Sequence, residues 1–355
     1  MQKRGIVYLS LLMSLSVILA GCFQGEQSVE ELDPPQDAEA VNNQEDATNE
    51  SDTEADEENM ESETVARQLF LVDANGMVAP QTLELPSMDS KEVAEQALQY
   101  LVKDGPVTQL LPNGFQAILP AGTEVLGLSL QEDGVVIVDV SSEFENYEAK
   151  DELKVLQSMT YTLTQFDSVD RVQLRINGQP QEEMPVNGTP IADGYSRANG
   201  INLVETDTVD LLDSKAVTLY YPTEYNENQY FVPVTQYLEV DNNDLYSSIV
   251  QALLKGPGYQ VNATHVFNTE VSLANDPTLN GGVMELVFSQ EILQDMEKGT
   301  ISDEVMETLV LTLTEQQAVE AVQVKVEDVE QLFNENGEVY NEPVTKNSFT
   351  PMDKL

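Results

Sequence analysis

The chain has 355 residues, enough for two modest domains, and its formal net charge is -47, from 63 acidic against 16 basic residues. So acidic a protein repels nucleic acid and anionic lipid, which excludes a function in nucleic-acid binding. Its single cysteine excludes an intramolecular disulfide and a thiolate-rich metal site.

The first 22 residues have the pattern of a bacterial lipoprotein signal. Two basic residues precede an apolar and serine-containing run, 5–20, which ends in Leu19-Ala20-Gly21-Cys22. A run of about 16 residues is shorter than the roughly 20 that span a bilayer, so the pattern favours a cleaved signal peptide, 1–21, over an uncleaved membrane helix. We expect lipidation of Cys22 and anchoring of the mature chain on the extracytoplasmic face of the cell membrane.

Residues 22–64 are predicted to comprise the lipidated cysteine and a disordered acidic spacer. From 23 to 64 the chain has 16 acidic residues, no Lys or Arg, and no aromatic residue after Phe23. Such a segment cannot bury enough apolar surface to offset the entropy of ordering it, and its like charges extend it. We expect the spacer to hold the folded part away from the membrane.

Residues 65–190 are predicted to form a first domain that contains both strands and helices. Alternating apolar residues indicate strands, and apolar residues at helical spacing indicate two helices, the first of which should end at Gly105-Pro106. In chain order we expect strands at 68–72 and 78–85, a helix at 93–101, strands at 125–130 and 135–140, a helix at 153–166, and a strand at 171–176.

Residues 215–345 are predicted to form a second domain with the same order of elements, after a linker at 191–214 and before a short tail at 346–355. We expect strands at 217–221 and 230–240, a helix that ends at Gly256-Pro257, strands at 270–274 and 283–288, a helix at 305–313 opened by Thr300 or Ser302, and a strand at 319–326. On that last helix, Glu304, Glu307, Thr308 and Thr312 should face outward.

The two predicted domains are a tandem repeat, because their landmarks recur at an offset of about 150 residues. The paired landmarks are Gly105-Pro106 with Gly256-Pro257, Gly134-Val135 with Gly282-Val283, Val172-Gln173-Leu174 with Val322-Gln323-Val324, and Asn177-Gly178 with Asn336-Gly337. Pairs of strands with single helices between them predict the α+β class. Each domain should be a small, mainly antiparallel sheet with two helices on one face.

This order of features resembles the GerM family of sporulation and germination lipoproteins, and the repeated unit resembles its GerMN domain. The likeness rests on the lipoprotein motif, the acidic spacer, the repeat, and a strand that ends in Asp139-Val140-Ser141-Ser142-Glu143-Phe144 before a long helix. In the second copy Val287 replaces Asp139, which argues against a shared role for that carboxylate.

The resemblance implies a non-enzymatic lipoprotein in the outer forespore membrane of a sporulating cell, facing the intermembrane space. There it would support the channel complex of the SpoIIIA and SpoIIQ proteins, which are its implied partners. The domains are also similar to ring-building motifs, so the resemblance leaves open whether the protein associates with itself into rings.

The residues themselves indicate neither a cofactor, nor a metal site, nor a catalytic centre. His265 lies in a predicted loop, where a single histidine is usually solvated, and Ser141-Ser142 lacks the glycines of a nucleophile elbow. Strand ends and helix caps explain these serines better.

Two functional hypotheses remain, and they belong to different classes. The first is an assembly or scaffold lipoprotein, and the second is an extracytoplasmic ligand-binding lipoprotein that acts at the cell wall. Five tyrosines of the second copy fit either a binding groove or half-buried strand faces: Tyr220, Tyr221, Tyr225, Tyr230 and Tyr237. A pocket between the two domains would favour ligand binding, whereas exposed sheet edges would favour the scaffold.

Overall fold

The structure is a computed structural model that describes residues 64–88, 92–204, 214–240 and 244–349. The predicted signal peptide, Cys22 and nearly all of the acidic spacer therefore lie outside the described residues. Within these four ranges, no helix has the length and apolar composition that crossing a bilayer requires.

The first domain is built on a sheet in which one helix connects two parallel strands. Its elements are β1 (Thr64–Val72), β2 (Val78–Pro86), α1 (Val93–Gln99), β3 (Val125–Leu130), β4 (Val135–Val140), α2 (Glu152–Leu163), β5 (Arg171–Ile176), β6 (Gln179–Pro180) and β7 (Tyr195–Ser196). The strand order is β3-β4-β5, with β6 and β7 both paired to β5. Strands β4 and β5 are parallel because α2 crosses between them, and the other pairs are antiparallel.

The second domain repeats this arrangement. Its elements are β8 (Ser214–Tyr225), β9 (Asn228–Glu239), α3 (Leu245–Lys255), β10 (Thr278–Asn280), β11 (Val283–Phe288), β12 (Leu293–Asp295), β13 (Thr300–Ile301), α4 (Asp303–Thr314), β14 (Ala321–Val326) and β15 (Val344–Thr345). The strand order is β10-β11-β14-β15, again with one parallel pair, β11 and β14, connected by a helix.

The long first hairpin of each domain packs against the crossover helix, which is therefore covered on two sides. In the first domain the Phe70 amide donates to Thr162 Oγ1 at 2.9 Å, and in the second the Tyr220 amide donates to Thr312 Oγ1 at 3.0 Å. Phe70 and Tyr220 are 150 positions apart in the chain, and so are Thr162 and Thr312. The same hydrogen bond, from a strand amide to a threonine hydroxyl, thus joins the hairpin to the crossover helix in each domain.

Because the hairpin covers the crossover helix on a second side, the prediction of a solvent-facing side of α4 is wrong. Thr308 and Thr312 are fully buried, and Glu304 and Glu307 are only partly accessible. The prediction assumed that α4 has one buried face and one solvated face. Because the β8-β9 hairpin packs on the helix opposite the sheet, both faces are in contact with protein.

The predicted linker is not a free connector, because part of it completes the first sheet. Tyr195 and Ser196 pair with Val172 and Arg171 of β5, and Ile201 is fully buried. The second domain has an equivalent strand, β15, and a 3₁₀ turn with a capping box follows each of the two strands.

Three further expectations differ from the structure. Helix α1 ends at Gln99, six residues before Gly105, whereas α3 does continue to Gly256. No strand forms at 270–274, where Leu273 makes a single bridge to Phe288. Asn336-Gly337 lies in the loop before β15 and is therefore not the counterpart of Asn177-Gly178, which directly follows β5.

Candidate functional site: the junction between the domains

Arg197 lies at the centre of the contact between the two domains. It follows β7 in the chain, and its Nη1 is 2.7 Å from Oε1 of Glu315, the residue after α4. The side chains are 25% and 13% exposed. The Arg197 Nε donates to Thr164 Oγ1 at 2.9 Å, and the guanidinium lies 4.6 Å from the centre of the Tyr161 ring. Arg197 is therefore held by both domains at once.

Arg197 and Glu315 stabilise each other's charge in a site that is largely shielded from solvent. Burial is the largest single effect on Arg197 and opposes its charge, but Glu315, through its charge and its hydrogen bond, together with Tyr220 and Tyr161 raises the pKa of the guanidinium. Burial also opposes the charge on Glu315, but Arg197, with Lys346 and the Tyr220 hydroxyl, outweighs burial, so the pKa of the carboxyl is lowered. The Tyr220 hydroxyl donates to the second carboxylate oxygen at 3.2 Å.

A buried tyrosine makes a second bond between the domains. The Tyr230 hydroxyl, on β9, donates to Asp73 Oδ2 at 2.8 Å, in the turn between β1 and β2. The Phe115 ring packs edge-on against Tyr230, with ring centres 4.7 Å apart. Burial and the neighbouring Asp73 carboxylate raise the pKa of Tyr230, so the phenol stays protonated and keeps donating.

The carboxamide of Asn202 connects the two hairpins directly. Its Oδ1 accepts from the Val78 amide at 2.8 Å, while its Nδ2 donates at 2.7 Å to the carbonyl oxygens of both Val78 and Pro233. Asn202 adopts a positive φ of 47°, a conformation that asparagine tolerates better than most residues. A continuous hydrophobic core then extends through both domains.

The tyrosines of the second copy belong to this junction and its surroundings, and three of them are buried. Tyr220, Tyr221 and Tyr230 are each at most 6% exposed, whereas Tyr225 and Tyr237 remain about one third accessible. A shallow cavity of about 280 Å³ lies elsewhere, on the first sheet between Ile137, Gln173 and Arg175. The three buried tyrosines therefore contribute to packing, which agrees with the interpretation that they lie on half-buried strand faces.

His265 lies against the end of α3. Its Nε2 is 3.0 Å from the Leu254 carbonyl oxygen, and its ring covers Gly256 so closely that a Cβ there would be 2.8 Å from it. Glycine at 256 therefore satisfies both a positive φ of 84° and this close approach. In the part of the chain that the structure describes, no group of three or more His, Cys, Asp or Glu residues is placed to hold a metal ion.

The serines at the end of β4 have a structural role that both domains share. Ser141 Oγ accepts from the Glu124 amide at 3.0 Å, and Ser289 Oγ accepts from the Ser272 amide at 3.2 Å. Hydrogen bonds from these two serines lower the pKa of Glu143 and of Glu291, respectively. Each serine thus fixes the strand end and the turn that follows it.

Sequence reasoning missed the three residues that organise the junction, Arg197, Asn202 and Glu315. Arg197 and Asn202 fell in the presumed linker, and Glu315 is one of 63 acidic residues. One available signal was Arg197 itself, a scarce basic residue flanked at short distance by Gly194 and Gly200.

Known proteins with the same organisation are associated with spore formation and germination. A family model described as Germane, sporulation and spore germination, matches residues 68–182 and 218–332. The spore germination protein GerM of Bacillus subtilis (strain 168) is 42% identical over 349 residues, or 95% of this chain and 94% of that protein.

Two solved structures extend the comparison. The tandem GerMN domains of the sporulation protein GerM from Bacillus subtilis match with a TM-score of 0.74 at 45% identity, covering 80% of this chain and 97% of that chain. The first GerMN domain of the same protein is 55% identical over 38% of this chain and 98% of that one, with a TM-score of 0.36. The tandem match confirms the predicted class, two consecutive α+β domains.

Proposed function

The chain belongs to the GerM family of sporulation and spore-germination proteins, and on that premise we propose that it is a membrane-anchored scaffold lipoprotein of the sporulating cell. Family membership confirms the resemblance drawn from the sequence. The relatives are named for sporulation and germination, and none of those names denotes an enzyme. The proposal adds that the protein is not an enzyme and that it supports a channel complex of the SpoIIIA-SpoIIQ type between mother cell and forespore.

The observation that carries this proposal is the junction. An ion pair, a buried tyrosine–aspartate bond and the Asn202 bridge all connect the same two domains. Such a connection resists relative rotation and presents two similar domains in one fixed arrangement. A fixed, repeated surface suits an assembly that must hold several protein partners, and it needs no reactive group.

The filled junction supports the scaffold over a ligand-binding lipoprotein of the cell wall. Binding proteins of that kind enclose their ligand in a cleft between two lobes. Here, aromatic and aliphatic side chains and an ion pair fill the contact between the domains. The cavity of about 280 Å³ on the first sheet lies away from it.

We further propose that Cys22 carries the lipid anchor, with the outer forespore membrane as the location and the intermembrane space as the side that the domains face. The chemical support is the Leu19-Ala20-Gly21-Cys22 sequence after a basic start. Replacing Cys22 by Ser should leave an unprocessed precursor that takes up no labelled fatty acid. Normal processing and labelling of that variant would contradict the anchor.

In-cell crosslinking tests the scaffold itself. The tagged full chain is crosslinked in sporulating cells, purified under denaturing conditions, and its covalent partners are identified by mass spectrometry. The proposal predicts peptides from components of the channel complex, and the Cys22→Ser chain should lose them. Crosslinks confined to cell-wall fragments would instead support the ligand-binding alternative.

A further inference from the structure

Strand β3 is an open edge of the first sheet. It lies at one end of the strand order, paired on one side with β4. Among the described residues, no backbone hydrogen bond outside the regular ladders reaches residues 126–129. No strand of the described residues pairs with the other side of β3, so its backbone can pair with an added strand, although the Gln131 side chain donates to the Ser129 carbonyl at 3.5 Å.

The residues of β3 do not protect this edge. The strand reads Val-Leu-Gly-Leu-Ser-Leu, without charge or proline, and the Leu126 side chain is 49% exposed. Natural edge strands are usually blocked by lysine, proline, a bulge or short length. In the described residues β3 has a bulge between Val125 and Gly127, and helix α1 packs against the strand. In a chain with 63 acidic residues, an uncharged and partly exposed strand is unusual.

The equivalent edge of the second domain is blocked. Strand β10 has three residues, and Pro277, which has no amide hydrogen to donate, precedes it. Its chain then reaches β11 again only through the single Leu273–Phe288 bridge. Two domains with one fold thus differ at this edge, which indicates that the opening in the first domain is not a requirement of the fold.

Gly127 points to a close approach from outside. Its φ is not in the positive range, and a Cβ at this position would have no atom of the described part of the chain within 4 Å. Neither backbone conformation nor crowding therefore demands glycine in the middle of β3. Glycine weakens a strand, and in strands it often marks the place where another backbone approaches closely.

The charges at the two ends of β3 indicate which kind of segment pairs with this edge. Glu124 and Glu132, both exposed, flank the strand eight positions apart. A second copy added antiparallel to the same edge would place these glutamates against each other, so self-pairing is opposed. A partner segment with an apolar centre and Lys or Arg at both ends would be complementary.

We propose that β3 is a docking edge to which an extended segment of a partner protein, apolar in its middle and basic at its ends, adds as a further strand. This inference rests on the proposed scaffold function and assigns the partner contact to the first domain. Backbone pairing would supply affinity, and the basic ends would supply specificity.

Site-specific photocrosslinking in sporulating cells tests the proposal. A photoreactive phenylalanine replaces Leu126 in the full chain, and the same replacement at Leu279 of β10, which is 36% exposed, is the matched control. We expect position 126, and not 279, to crosslink to one segment of a partner with basic residues at its two ends. A crosslink to a second copy of the chain would overturn the proposal.

The experiments distinguish an error in the proposal for the β3 edge from an error in the proposed scaffold function. If position 126 yields no crosslink while the general crosslinker still captures channel components, the edge proposal is wrong and the scaffold stands. If neither method captures a protein partner, both are wrong.

A substitution that blocks the edge without unfolding the domain completes the test. Because a side chain at 127 enters open space, Gly127→Lys should keep the melting temperature near that of the parent chain, while its charge, a natural block on edge strands, should reduce the crosslink yield from position 126 at least tenfold. Undiminished crosslinking by a folded Gly127→Lys chain would contradict strand addition. Leu126→Lys, with Leu279→Lys as its control, repeats the comparison with the general crosslinker.

Discussion

Arg197 is the residue on which the fixed orientation of the two domains most depends. Arg197→Met should lower the free energy of unfolding by about 1–3 kcal/mol, because it leaves the Glu315 carboxylate partly buried without its partner. Urea unfolding of the parent, the two single variants and the Arg197→Met, Glu315→Gln pair measures their coupling. The exposed Lys298–Asp295 pair is the control, and Lys298→Met should change stability very little. Additive effects of the two junction substitutions would show that the ion pair contributes nothing.

Glu307 gives the stability of the second domain a pH dependence. Burial, with the Asp303 and Glu304 carboxylates nearby, raises its pKa from 4.5 to about 7. A carboxyl with a raised pKa in the folded state costs nothing below about pH 4.5, and its cost grows as pH rises to about 7. Glu307→Gln should therefore stabilise the protein by about 1–3 kcal/mol at pH 8 and have little effect at pH 4.5.

Thermal unfolding at both pH values checks the prediction for Glu307, with the exposed Glu330→Gln as control. An equal effect of Glu307→Gln at pH 4.5 and pH 8 would show that ionisation of Glu307 is not the cause.

Residues of the junction were not predictable from one sequence, for a physical reason. Arg197 and Glu315 are 118 positions apart, and their pairing depends on how two complete domains dock. Periodicity reports only the local environment of a residue. Ser141, by contrast, was expected at a strand end or cap, because β4 and the following turn are encoded within a few residues of it. Its hydrogen bond with the Glu124 amide is consistent with that expectation.

At the scale of elements, two buried threonines of α4 differ in whether they bond to the hairpin that covers the helix. The Thr312 hydroxyl accepts from the Tyr220 amide, whereas the equally buried Thr308 hydroxyl has no hydrogen-bond partner among the described residues. Thr312→Val should cost about 1–3 kcal/mol, because it leaves a buried amide unsatisfied. Thr308→Val should be neutral or stabilising, because the substitution removes an unpaired polar atom.

Denaturant unfolding of the two valine variants measures this contrast directly, since they share helix, burial and chemistry. Equal losses of stability in both variants would mean that packing, and not the hydrogen bond, determines the effect.

Strands with strong apolar runs were predicted with the bounds that the structure has, as at 125–130, 135–140, 171–176 and 283–288. Each is a continuous β-prone segment between turn residues, so the local signal decides it. The strand at 270–274 was wrong because Asn275-Asp276-Pro277 interrupts pairing with β11. The outward face of α4 was wrong because the hairpin that covers it comes from residues about 90 positions earlier.

At the scale of the whole molecule, we expect the two domains to unfold together. They share a continuous hydrophobic core and three polar bridges, so neither domain can unfold without exposing part of the other. Calorimetry of the full chain should show one transition, with calorimetric and van't Hoff enthalpies in agreement. Two resolved transitions in the parent chain would show that the domains are independent and would remove the basis for a rigid scaffold.

The count of heat-resistant spores tests the scaffold claim most directly. In a first strain the chromosomal copy carries His265→Ala with Ser142→Ala, which removes reactive side chains that the fold can spare. In a second strain it carries Gly127→Lys, whose charge blocks the β3 edge. All chains are checked for wild-type abundance. A scaffold that binds its partner through the β3 edge predicts normal spore numbers from the first strain and a loss of at least tenfold from the second. Loss of spores in the first strain, with the second unaffected, would contradict this account and place an active site near His265 or Ser142.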